Sequence, residues 1–255
     1  MTKFTSLIPA FLRDRFKSLN RIILLMLIAI VMTEVYVFFQ EGTGNLGASL
    51  MSYTVLWSSV ASFVVFIRLS MFNENVYQND SIRLIPASDT KVYLGSLCTT
   101  VISFLYFMVV QLVLRIVTTL LAGNNFTDIM GQIFSESGLN SGQGIAIVLV
   151  SLGIAIVAIM MVWTTISLIH LIMLSIDAFL PIGRQRIIRG ILYIVISLAI
   201  IRLGAAFFNI YGTLMNGLSL GWGAAFSILG VLALVVVVES VVNILLMNKF
   251  VETAQ

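Results

Sequence analysis

Six long apolar stretches alternate with polar connections along this chain, at about 22–40, 46–72, 92–121, 144–176, 187–211 and 222–248. Each is near or beyond the roughly 20 residues that a helix needs to cross a bilayer. Several are longer and are expected to tilt or to project past the lipid. The stretches are continuously apolar instead of alternating with period two, which excludes a transmembrane barrel. The pattern predicts an all-α polytopic membrane protein with six transmembrane helices, forming a single transmembrane domain over 1–255.

The first 21 residues read differently. Ile8, Leu12, Phe16 and Leu19 recur at helical spacing, while Arg13, Lys17 and Arg21 fall on other faces. Pro9 suits a first helical turn. The expectation is an amphipathic interfacial helix lying on the membrane surface before the chain turns into the first span.

Composition agrees with the pattern. Hydrophobic residues make up 60% of the chain and charged residues only 10%, and mean hydropathy is +1.09. A soluble domain could not bury so much apolar surface. The one cysteine, Cys98, excludes an internal disulfide framework. No cleavable signal peptide is apparent before the first span.

Charge placement then gives an orientation. Lys3, Arg13, Arg15, Lys17 and Arg21 precede the first span. Arg68, Arg83 and Lys91 flank the connection after the second, Arg184, Arg186 and Arg189 mark the turn after the fourth, and Lys249 follows the sixth. The alternate connections, 41–45, 122–143 and 212–221, hold no Lys or Arg. By the positive-inside rule both termini are cytosolic. Cysteines introduced at Ser135 and Ser141 are expected to react with an impermeant thiol reagent in intact cells. Those at Ser81 and Thr253 are expected to stay silent, and labelling at Ser81 would reverse the orientation.

Ionisable residues inside the spans are candidates for function, because an unpaired charge in hydrocarbon costs several kcal/mol. Glu34, Arg115, Arg202 and Glu239 lie well within spans one, three, five and six. Glu34 and Arg202 lie at similar depth, roughly 20 Å from the inner ends of their spans at helical rise, so they are able to pair. Interhelical ion pairs that fix packing and groups lining a substrate path are both open readings. The only histidine, His170, has no companion ligands in the sequence, and no metal site is expected. Gly42-Thr-Gly-Asn-Leu-Gly47 matches a dinucleotide fingerprint in form, but it lies in a short connection outside any βαβ unit. No Walker A sequence is present.

The connection after the second span is polar yet interrupted by Ile82, Leu84 and Ile85. Pro86 breaks it, and Ser88 or Asp89 can cap the third span. Such a rigid, partly apolar corner has the form of a docking surface.

Asn79-Asp-Ser-Ile-Arg-Leu-Ile-Pro-Ala-Ser-Asp-Thr-Lys91 is similar to the first cytosolic loop of type-2 ATP-binding-cassette (ABC) exporter permeases. With the basic amino-terminal helix and six spans, the whole chain resembles that family in architecture. The resemblance implies that Asn79, Asp80, Arg83, Pro86, Asp89 and Lys91 belong to a loop coupled to separate ABC ATPase subunits, which would carry the ATP and magnesium. The chain itself would then hold no cofactor and would not be an enzyme. It further implies a second permease copy or a paralogue as partner, membrane lipids around it, no nucleic acid, and the plasma membrane, in a bacterium the cytoplasmic membrane, as location. The cargo implied is a peptide, lipid or drug-like molecule moved outward. The connection 212–221 is shorter and more apolar than the family's re-entrant hairpin. A stand-alone secondary transporter and a non-transporting assembly or sensory subunit are the competing readings. An intramembrane enzyme would need clustered acids or histidines that this chain lacks.

Overall fold

The computed structural model describes residues 4–42, 46–78, 88–123, 141–177, 185–215 and 222–251. The fold is all-α. Its helices are α1 (Phe4–Glu41), α2 (Leu46–Gln78), α3 (Asp89–Leu121), α4 (Ser141–Asp177), α5 (Gln185–Met215) and α6 (Trp222–Leu246), and α6 ends in a π-helical turn, Met247–Val251. Five of them contain segments long and apolar enough to cross a membrane: Leu7–Gln40, Ser49–Val76, Asp89–Leu121, Ala146–Ile176 and Gly223–Lys249. The fifth helix contributes a shorter apolar stretch, Gly190–Ala206. The chain is thus a multi-pass membrane protein, and it divides into two compact units, Met1–Gly144 and Ile145–Gln255.

One expectation about the amino terminus changes. Residues 4–41 form one uninterrupted helix, so there is no turn between the amphipathic segment and the first span. Arg13, Lys17 and Arg21 are exposed, as the helical spacing predicts, but Leu7, Arg15 and Leu19 on the opposite side are buried. Of the expected apolar face, Ile8, Leu12 and Phe16 are half-buried and Leu19 is buried.

In the first unit α1, α2 and α3 pack against one another. The buried stripe of α1 runs through Leu19, Ile23, Met26, Ile30 and Val37. That of α2 runs through Thr54, Ser58, Ala61, Val65 and Leu69. On α3 the buried face is rich in hydroxyls, with Ser96, Thr99, Thr100 and Ser103. Small residues let membrane helices approach closely where lipid removes the usual hydrophobic drive between helices. The other faces carry exposed large apolar side chains such as Leu25, Val31, Phe63 and Leu112, as a lipid-facing surface requires. Polar bonds tie the three helices together. Trp57 Nε1 donates to Thr33 Oγ1 at 3.0 Å. Gln111 Nε2 donates to the Ser58 carbonyl at 2.9 Å and to Ser62 Oγ at 3.0 Å.

The glycine pattern of the first connection is structural at both described ends. Gly42 ends α1 with φ +71°, a left-handed conformation that favours glycine. At Gly47 a Cβ would stand 3.1 Å from the Ala122 carbonyl oxygen and 3.2 Å from its Cα. The start of α2 and the end of α3 therefore touch backbone to backbone. Gly47→Val is expected to destabilise the fold by about 1–3 kcal/mol through overpacking. A melting temperature equal to the parent's would show that the contact yields freely.

In the second unit α4 and α6 make contact. The side chains of Trp163, Ser167 and Leu171 on α4 and of Leu232, Val236 and Asn243 on α6 are buried. A Cβ on Gly153 would lie 3.3 Å from Leu229 Cδ1. The described face of α5 is open, with Ile191, Ile194, Leu198 and Ile201 exposed.

Candidate functional site

Two polar clusters sit inside the helical units. The first is centred on Arg15, which is only 1% exposed. Its Nη1 donates to the Ser96 carbonyl at 2.8 Å and to Thr100 Oγ1, and its Nη2 donates to Ser96 Oγ at 2.8 Å. Ser96 Oγ in turn donates to Asn73 Oδ1. Asn73 and Ser96 are themselves buried. The planar guanidinium suits this task, because its donors lie in a fixed fork that can reach a carbonyl and two hydroxyls together. Ser96 and Thr100 are four apart on α3, so both hydroxyls lie on one face.

The position of this cluster matters more than its chemistry. Asn73 lies near the end of α2, and Ser96 lies in the second turn of α3. These helices flank the connection 79–87. Arg15 therefore latches α1 to both sides of that connection. By sequence Arg15 counts only among the orienting charges, and its latching role is missed. The available signal is that residue 15 continues the stripe of Leu19, Ile23 and Met26, where a charge is out of place unless it is paired.

The second cluster surrounds Glu239 on α6. Its Oε2 accepts from Thr164 Oγ1 at 2.5 Å, and its Oε1 accepts from Thr165 Oγ1 at 2.8 Å. Both threonine hydroxyls also lie within hydrogen-bond distance of the Met161 carbonyl, at 2.9 and 2.8 Å. Asn243 Nδ2, one helical turn from Glu239, donates to the Thr164 carbonyl at 3.0 Å. The acid is half-buried between two membrane helices, and its described partners are hydroxyls.

The other three intramembrane charges are placed as follows. Glu34 is half-buried on α1 and accepts from Ser49 Oγ on α2 at 3.0 Å, while its second oxygen is buried without a hydrogen-bond donor among the described residues. Arg115 on α3 and Arg202 on α5 are exposed. Glu34 and Arg202 belong to different units. His170 on α4 is half-buried.

Of the residues assigned to the coupling loop, Asn79, Asp80, Arg83 and Pro86 lie outside the described residues. Asp89 and Lys91 fall in the first turn of α3. Ser88 is the N-cap residue, with φ −69° and ψ 147°, but its side chain makes no capping bond. Its carbonyl instead accepts from the backbone N–H groups of Lys91 and Val92 at 2.8 and 3.1 Å. The capping position is the expected one, and the capping bond is not made.

No protein-family model, curated protein or solved structure matches the chain. The two clusters and the helices that carry them are therefore the basis for a functional reading.

Proposed function

We propose that this chain is the membrane-spanning permease subunit of an ABC-type exporter. A peptide, lipid or drug-like substrate would move outward through it, driven by separate ATPase subunits. Two copies, or one copy and a paralogue, would enclose the path in the plasma membrane of a bacterium, with both termini in the cytosol. Residues 79–91 would receive the ATPase. Nucleotide binding and hydrolysis would bring the ATPases together and apart, and the loop would pass that movement to the spans.

The observation that carries this reading is the Arg15 latch. A force applied to the connection 79–87 reaches α2 and α3 through the chain itself. Near that connection it reaches α1 through side chains, and Arg15 supplies a buried link by way of Ser96, Thr100 and, through Ser96, Asn73. The three helices would then respond together. The half-buried Glu239 gives the second unit a polar group at membrane depth, where a substrate path would need one.

Extracted from its native membrane in mild detergent, the chain is expected to bring down a protein with a Walker A motif. Asp80→Ala or Arg83→Ala is expected to uncouple ATP hydrolysis from transport without loss of membrane insertion. Transport that survives ATP depletion while the ion gradient is kept intact would instead favour a secondary transporter and end this proposal.

A further inference from the structure

A cleft of 240 Å³ opens between the amino-terminal part of α1 and the end of α2, lined by Phe11, Asp14, Arg15, Phe72, Asn75 and Val76. It is smaller than the roughly 300 Å³ at which drug-sized pockets begin, so it suits a small polar group. Arg68 lies one helical turn before Phe72 on α2 and touches its ring. The guanidinium is exposed but held, with its carbon 5.0 Å from the centre of the Phe72 ring and Nε 3.4 Å from Ser18 Oγ. A cation seated over an aromatic face is oriented before any ligand arrives.

Depth identifies what could reach it. Arg68 lies about 22 residues along α2 from Leu46, roughly 33 Å at helical rise. The hydrocarbon core is about 30 Å thick. With Leu46 taken as the far edge of the hydrocarbon, Arg68 falls at the boundary where lipid phosphates lie, in the leaflet on the amino-terminal side. Phe72, Asn75 and Val76 of the cleft follow Arg68 along α2, on the side away from Leu46.

We infer that this cleft holds the headgroup of an aminophospholipid, with the phosphate on Arg68 and the ammonium on Asp14. Ser18, which touches Arg68, is four residues from Asp14, about 6 Å along the axis. The two-carbon linker of a phosphoethanolamine spans such a gap. Phe72 and Val76 give the linker an apolar wall, and Asn75 offers a neutral hydrogen-bonding group beside it. A headgroup with a phosphate alone would place negative charge next to the Asp14 carboxylate. A trimethylated amine would be bulkier and could not donate a hydrogen bond to it. The inference rests only on α1 and α2 crossing a bilayer, and it stands or falls independently of the transport proposal.

The test uses the full chain in nanodiscs of mixed phosphatidylethanolamine, phosphatidylcholine and phosphatidylglycerol, followed by native mass spectrometry of the lipids retained. The ethanolamine lipid is expected to be retained roughly tenfold over the other two, the ratio that corresponds to one charge-assisted hydrogen bond. Asp14→Asn is expected to erase the preference for ethanolamine over choline. Arg68→Gln is expected to lower retention of all three lipids, and Arg68→Lys to restore much of it. Both side chains are exposed, so neither change opens the core. Equal retention of the three lipids by the parent protein, or an ethanolamine preference that survives Asp14→Asn, would overturn the inference. So would displacement of the lipid by soluble phosphoethanolamine at equal concentration, which would make the cleft a site for a free metabolite.

Discussion

Replacing Arg15 with Met is expected to destabilise the protein by about 3 kcal/mol. Two effects compete. Removing the guanidinium relieves the cost of holding a charge away from water, and fully apolar replacements of buried ionic groups are sometimes neutral or stabilising. Here, however, only the donor is removed. The Ser96 carbonyl, Ser96 Oγ and Thr100 Oγ1 all remain buried with one donor fewer. Each hydrogen bond to a charged group contributes about 1.5–3 kcal/mol in mutational series. Three such bonds outweigh the desolvation relieved, and the Met stem keeps most of the packing. Arg15→Lys is expected to recover less than half of the loss, because one ammonium cannot present the fork that spans two side chains and a carbonyl. Unfolding in a denaturing detergent series would measure both. A Met variant as stable as the parent would mean that the latch is ornamental.

Glu239 is expected to behave in the opposite way. Glu239→Leu should leave stability within about 1 kcal/mol of the parent or raise it, because a half-buried carboxylate at membrane depth is itself costly. The two threonines are not stranded by its loss. Both hydroxyls can donate to the Met161 carbonyl, which already lies 2.9 and 2.8 Å away. If the chain is the exporter permease proposed above, transport is by contrast expected to fall at least tenfold in Glu239→Leu, equivalent to about 1.4 kcal/mol of lost interaction with the moving species. Uptake into inverted vesicles and a detergent melt on the same preparation separate the two readouts. Normal transport combined with lowered stability would assign Glu239 to packing.

The contrast between these two residues shows where sequence stops informing. Helix number and class were legible, because an unbroken apolar run near 20 residues suits little besides a spanning helix. Glu239 was legible too, as an acid within an apolar run. Its threonine partners were not, because Thr164 and Thr165 are about 75 positions away and nothing in their local pattern points to an acid. Arg15 was hidden for another reason. It lies among four other basic residues, and charge counting treats all five alike. The same ambiguity attends the interfacial helix expected over residues 1–21. A helix with one apolar face satisfies either a lipid surface or two neighbouring helices, and periodicity does not distinguish them. Gly47 was visible as a glycine, but its need arises from Ala122, some 75 residues further on.

The unbroken course of α1 has a mechanical consequence. At helical rise its 38 residues extend roughly 57 Å. Arg21 and Glu41, about 20 residues apart, are separated by roughly 30 Å, close to the hydrocarbon width. A protein with a flexible elbow at the membrane surface could meet a thicker bilayer by opening that elbow. This helix has no elbow, and its base is fastened to both neighbours. Mismatch must be absorbed by leaning the whole three-helix unit or by stretching the surrounding lipid, at fractions of a kcal/mol per ångström. The first unit would therefore report bilayer thickness as a rigid tilt, carried undiminished to the ends of α2 and α3.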